Sequence, residues 1–143
     1  MSSLTLQHDN RSELLDALTG DVWFVACLCA AWCDVCRQYR PAFEALAARH
    51  PDKRFVWVDV EDEADIVGDF DVDNFPTLLI QRGDTVAFFG TVLPEAGQAH
   101  RLVQAQAALS AEELAAQAQS TAERRQWQAD YNLRTRLADF INS

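Results

Sequence analysis

No stretch of apolar residues in this 143-residue chain is long enough to cross a membrane. The longest, residues 22–33, runs to about a dozen, where a spanning helix needs about 20. The first ten residues also lack the basic start and apolar core of an export signal, so a cytoplasmic setting is expected. Positive charge is scarce: 12 Lys and Arg stand against 22 Asp and Glu, a net −10. That balance argues against nonspecific nucleic-acid binding, which needs a cationic surface to displace counterions. Cysteines number four and all lie between Cys27 and Cys36, so they cannot staple distant parts of a fold. A chain of this length buries roughly 68% of its unfolded surface and needs no such framework. In a reducing compartment, clustered cysteines suggest redox chemistry or metal. Hydrophobic residues make up 49% and charged residues 24%, which excludes disorder and a coiled-coil fibre.

Leu4, Leu6 and His8 mark a short first strand, followed by a helix over residues 10–18 capped by Asn10 and closed by Gly20. Residues 22–29 are continuously apolar, the pattern of a parallel strand covered on both faces. Residues 34–49 repeat Tyr39, Phe43, Leu46 and Ala47 at helical spacing, with Pro41 expected to kink that helix. A second buried strand covers residues 55–60, and the acidic segment after it predicts a short helix. Residues 77–80 and 86–89 flank Gln81, Arg82, Gly83 and Asp84, a hairpin signal. A helix from Pro94 to about Leu109 follows. The order predicts an α/β sandwich with a mixed sheet.

Eight acidic residues between Asp59 and Asp73 have no Lys or Arg among them, and read as a solvated face that aids solubility. No Gly or Pro follows Gly97, and Ser110–Glu113 and Ser120–Glu123 both match the capping box, so two more helices are expected. Trp127, Tyr131, Leu137, Ala138 and Ile141 gather on one side of a helical projection. That stripe needs a dock: the chain's own surface, a second copy, or another protein.

The chemistry lies in Trp32-Cys33-Asp34-Val35-Cys36. Two cysteines with two residues between them can close a small disulfide if the chain turns into a helix there. Cys33 would sit at the helix N-terminus, where unpaired N–H groups and the dipole favour a thiolate. Cys36, one turn inside, could then resolve a mixed disulfide. Zinc sites use the same spacing. Here, however, the motif follows a buried strand and opens a helix within a βαβ pattern.

The chain resembles thioredoxins over roughly residues 4–109. The resemblance rests on Trp32-Cys33-x-x-Cys36, Pro41 in the following helix, Phe75-Pro76-Thr77 before a strand, and Gly83 and Gly90 around the hairpin. It implies a thioredoxin-like three-layer sandwich, a mixed β-sheet flanked by helices, as domain 1–109, with residues 110–143 as a C-terminal helical extension. It also implies a cis peptide before Pro76 facing the cysteines, with Trp32, Phe75 and Pro76 forming the substrate groove. Three departures stand out. Asp34-Val35 replace the usual Gly-Pro, the Asp opposing a Cys33 thiolate and Arg37 countering it. Cys27 and Trp57 replace a buried Asp and Lys, which removes both charges of a pair together. Cys29 replaces an aromatic residue. Cys27 and Cys29 share a strand face and read as small buried hydrophobes, as two ligands of a four-cysteine metal site, or as auxiliary thiols.

The resemblance implies a thiol–disulfide oxidoreductase, mainly a protein disulfide reductase, with Cys33 as nucleophile and Cys36 as resolving thiol. It would use no bound cofactor or metal, act on disulfide-containing proteins, and be re-reduced by a partner protein that the sequence does not identify. Neither membrane nor nucleic acid would be a partner, and residues 110–143 could form a homodimer. The alternative is a thioredoxin-fold adaptor whose helical extension binds a partner. Asp69, Asp71 and Asp73 are expected to border the groove beside Phe75, where they would favour basic substrates. His8, His50 and His100 are far apart in the chain, without metal spacing, and read as solvated or capping.

Overall fold

The computed structural model describes residues 3–142. Its centre is a five-stranded sheet of β1 (Leu4–Thr5), β2 (Trp23–Cys29), β3 (Arg54–Asp59), β4 (Thr77–Arg82) and β5 (Thr85–Thr91). The order is β1-β3-β2-β4-β5, with β1, β3 and β2 parallel and β4 and β5 antiparallel. Between them run α1 (Arg11–Ala17), α2 (Asp34–Arg49), α3 (Ala64–Val67) and α4 (Ala96–Ala107). The C-terminal part forms α5 (Ala111–Ala118), α6 (Ala122–Asp130) and α7 (Leu133–Ile141).

The apolar run of β2 feeds two cores, because successive strand residues point to opposite faces. Val25, Cys27 and Cys29 join Cys36, Tyr39 and Phe43 of α2, Val103 of α4 and Leu114 of α5. Phe24, Ala26 and Leu28 face Leu14 of α1, Ile66 of α3, and Leu133 and Leu137 of α7. The sheet is therefore the middle of three layers.

Local differences from the sequence reading have local causes. Asn10 holds the N-cap position of α1, but its side chain turns back: Oδ1 accepts from the Gln7 N–H (2.8 Å) and Nδ2 donates to the Thr5 carbonyl (2.6 Å). It pins the β1–α1 loop rather than the helix. The first strand ends at Thr5, leaving His8 exposed beyond it. β4 continues through Arg82, so the hairpin turn shrinks to Gly83 and Asp84, with Gly83 at φ +56°. Of the two capping boxes, Ser110 and Glu113 form one in full. At the second, Thr121 is the cap and accepts from Arg124 N–H, while Ser120 Oγ donates to the Gln117 carbonyl. The last helix breaks at Tyr131–Asn132, because Asn132 caps a new one by accepting from Thr135 N–H (3.0 Å).

Trp127, Tyr131, Leu137 and Ile141 pack against the chain's own second core, so of the three docks the first is occupied. Tyr131 stacks on Phe89 with ring centroids 3.7 Å apart. Gln81, fully buried on β4, pins the start of α7: its amide donates to Asn132 Oδ1 (2.7 Å) and its carbonyl accepts from Leu133 N–H (3.2 Å). Along the free side of β5, Gln128 of α6 accepts from the Val86 N–H and donates to the Val86 carbonyl, both at 2.8 Å.

The acidic segment is not uniformly a solvated face. Glu63 is buried, and Arg11 donates to its Oε1 through Nε (3.1 Å) and Nη2 (3.0 Å). Burial without this partner would be costly, so the pair ties α1 to the loop before α3. Asp69 pairs with Arg136 of α7 at 3.2 Å.

Candidate redox site

The C-terminal end of β2 delivers the chain into the loop Ala30-Ala31-Trp32 and then into α2. Asp59, at the end of the neighbouring β3, holds this loop. Its Oδ2 accepts from the Ala31 N–H (2.8 Å), and its Oδ1 accepts from Glu61 and Asp62 (2.9 and 3.0 Å). Cys33 is the N-cap residue of α2, partly exposed, with its thiol free. Its own N–H donates to the Ala30 carbonyl (3.1 Å) and its carbonyl accepts from Arg37 N–H (3.1 Å). Cys36 lies one turn in, at 1% exposure. Arg37 is engaged by Asp34 in an ion pair and donates to the Ala31 carbonyl (2.6 Å). The two charges that the sequence sets against each other beside Cys33 thus answer one another.

Across from the cysteines, the peptide between Phe75 and Pro76 is cis. Trp32 is 63% exposed, and its ring meets Phe75 edge to face with centroids 5.8 Å apart. Thr77 Oγ1 donates to the Asn74 carbonyl (2.6 Å), and Val92 N–H donates to the Pro76 carbonyl (3.0 Å), which fixes the loop. Among the described residues no backbone hydrogen bond engages Phe75. Its main-chain groups are open to an added strand.

Residues 4–104 match the family model described as Thioredoxin. The chain belongs to the thioredoxin family. It is 34% identical over 67 residues to Thioredoxin from Ophiophagus hannah, covering 47% of this chain and 62% of that one. To Thioredoxin H-type from Brassica campestris it is 34% identical over 76 residues, covering 53% and 62%. The alignments therefore span less than two thirds of either thioredoxin. Among solved structures, thioredoxin NaTrxh from Nicotiana alata superposes with a TM-score of 0.63 at 22% identity, over 74% of this chain and 95% of that one. The thioredoxin fold is shared.

The disulfide that the structure contains differs from the pairing expected of a thioredoxin C-x-x-C motif. Cys36 is bonded to Cys29, with Cα atoms 5.7 Å apart, and Cys33 and Cys27 are free. The cause is the parity of β2: Cys29, its last residue, points to the α2 side, directly beneath the first turn of that helix. Cys27 points the same way, its Sγ 3.9 Å from that of Cys29. Complete burial pushes the Cys27 thiol strongly upward and keeps it protonated. The Tyr39 hydroxyl is buried over the same region without a hydrogen-bond partner among the described residues. Desolvation, and then Cys27, raise its pKa.

Cys27 faces Trp57 across the β2–β3 pair, the two positions from which the sequence reading had noted the loss of opposite charges. Arg40 covers the Trp57 ring, its guanidinium carbon 4.5 Å from the centroid. Between them opens a cleft of about 420 Å³ lined by Cys36, Arg37, Arg40, Trp57 and Asp59.

Asp71 and Asp73 line a second cleft with Thr91, Glu123, Trp127 and Tyr131, so the extension forms its far wall. His50 and His100, distant in the chain, meet in space: Nε2 of His50 lies 2.9 Å from Nδ1 of His100. No third ligand joins them, and no group of three metal-binding side chains occurs among the described residues. Sequence reasoning missed Asp59 as the brace of the loop. The only signal for it was its place at the end of a strand neighbouring the motif.

Proposed function

We propose that this protein is a cytoplasmic thiol–disulfide oxidoreductase that reduces disulfides in proteins. Cys33 is the attacking thiol, Cys36 resolves the mixed disulfide, and Trp32, Phe75 and Pro76 form the peptide platform. The observation that carries this reading is a free, partly exposed Cys33 at the N-cap of α2, with a shielded Cys36 one turn behind it. The cis-proline loop beside Trp32 supports it. With the Cys29–Cys36 bond reduced, Cys33 breaks the substrate disulfide and releases one substrate thiol. Cys36 then displaces the second thiol, leaving the protein oxidised until a partner protein re-reduces it.

Residues 1–109 are read as the redox unit and residues 110–143 as its helical cover. The packing of the aromatic stripe on the chain's own sheet supports this over a partner-binding adaptor or a homodimer through the extension. Insulin reduction driven by dithiothreitol tests the function. Wild-type protein should turn over, Cys33→Ser should fall to background, and Cys27→Ala should keep most of the rate. Undiminished turnover by Cys33→Ser would refute the assignment of the nucleophile.

A further inference from the structure

Cys36 lies within bonding reach of Cys29 on β2 and is also the resolving partner of Cys33 on its own helix. One sulfur therefore has two possible partners, one partly exposed and one buried at 1%. We propose that Cys29 is a third redox-active cysteine: it attacks Cys36 of a Cys33–Cys36 disulfide, moving the bond inward to Cys29–Cys36 and releasing Cys33 as a free thiol.

This inference rests on the reductase reading above. The step is a disulfide isomerisation and balances without any co-reactant. The Cys36–Cys29 bond forms, the Cys36–Cys33 bond breaks, and the proton given up by Cys29 is taken by the departing Cys33 sulfur. The pocket suits it. Cys27 Sγ lies 3.9 Å from Cys29 Sγ, a neutral S–H able to donate to a transient Cys29 thiolate. Cys27 and Trp57 occupy the paired positions on β2 and β3. The charges nearby are Asp59, the register partner of Cys29, and Arg40, which lies over Trp57 and favours the thiolate form at Cys27. Cys29 and not Cys27 lies within bonding distance of Cys36, so Cys27, its proton held by burial, acts as donor and not as competitor.

The functional consequence is direction. An exposed Cys33–Cys36 bond can re-oxidise the thiols just released. Moving it beneath α2 takes it out of their reach until the inner bond is reduced. The relay favours reduction over oxidation.

The test maps the bond in the full chain. Protein oxidised with diamide is quenched in acid, denatured and alkylated with N-ethylmaleimide, then reduced and alkylated with iodoacetamide, and the labels are located by mass spectrometry. The relay predicts maleimide on Cys27 and Cys33 and acetamide on Cys29 and Cys36. In the native oxidised protein one thiol, Cys33, should react rapidly with iodoacetamide. In Cys29→Ser the bond should fall back to Cys33–Cys36, and that rapid reaction should vanish. Acetamide on Cys33 and Cys36 of the wild type, with Cys29 carrying maleimide, would overturn the relay, and this readout does not depend on how well any variant folds. Insulin reduction by the same wild-type preparation is the separate arm. Turnover with the bond at Cys33–Cys36 sinks the relay alone, whereas no turnover at all sinks the reductase reading and the relay with it.

Discussion

Replacing Leu137 by Ala tests whether the C-terminal helices are part of the fold or only lie against it. Leu137 has no exposed surface and sits on α7, whose inner face meets α1 and α3 in the second core. Truncating a fully buried leucine removes its transfer energy and leaves a cavity, together about 3–5 kcal/mol. Relaxation at this site is restricted, because α7 is held at its start by Gln81 through Asn132 and Leu133. Arg134 holds it further, donating to the Gly20 carbonyl and pairing with Asp84, both at 2.7 Å. Urea unfolding followed by circular dichroism reads the loss. With a slope of about 1–3 kcal/mol per molar urea for a small protein, the midpoint should fall by roughly 1–5 M. A mobile tail would behave as a surface position, within about 0.5 kcal/mol of the wild type. A midpoint shift below about 0.5 M would therefore refute an integral α7, since about 0.5 kcal/mol over the same slopes is roughly 0.2–0.5 M.

Glu63→Gln leaves Arg11 charged and poorly matched in a buried site, and should cost about 3–5 kcal/mol in the same assay; a loss of less than about 1 kcal/mol would show that water reaches the pair. The Asp84 carboxyl is held below its ordinary range, chiefly by the hydrogen bond from Arg134. A lowered folded-state pKa gives stability that is full above the unfolded value, near 3.9, and is lost as the pH falls below it. Asp84→Asn should therefore melt below the wild type at pH 7, and the gap should narrow as the pH is taken below about 3.9; a constant gap would deny the carboxylate that role. His50 is lowered instead, mainly by desolvation and then by Lys53 and His100. A depressed base destabilises once protonated, so wild-type stability should fall from about pH 7 to 5, with a flatter profile in His50→Gln.

Most of the sandwich was legible because burial writes itself into sequence period. The apolar run of β2 and the helical recurrence of Tyr39, Phe43 and Leu46 each imply their element without help from the rest of the chain. The family motif located Cys33, Trp32 and the cis peptide at Pro76. What escaped depends on contacts between distant segments. Glu63 is indistinguishable from its acidic neighbours until Arg11 arrives from 52 residues away. Asn132 breaks a helix that propensity alone would continue, because Gln81 on β4 rewards the break. The Cys29–Cys36 bond was half visible: strand alternation puts Cys27 and Cys29 on one face, but only the seating of α2 over that face brings Cys36 to the second of them.

The amide of Gln128 occupies, on the outer side of β5, the two bonding groups that a neighbouring strand would use at Val86. On the opposite margin, β1 pairs through only two residues, Leu4 and Thr5. Neither rim of the sheet offers a long template for another chain to extend. In a chain with four cysteines close together, the rims of the sheet bear on how molecules meet. Edge-to-edge pairing of backbones would hold two copies together, and a capped or short edge does not offer it. The glutamine thus keeps Val86, on the outer side of the sheet, from pairing with another chain.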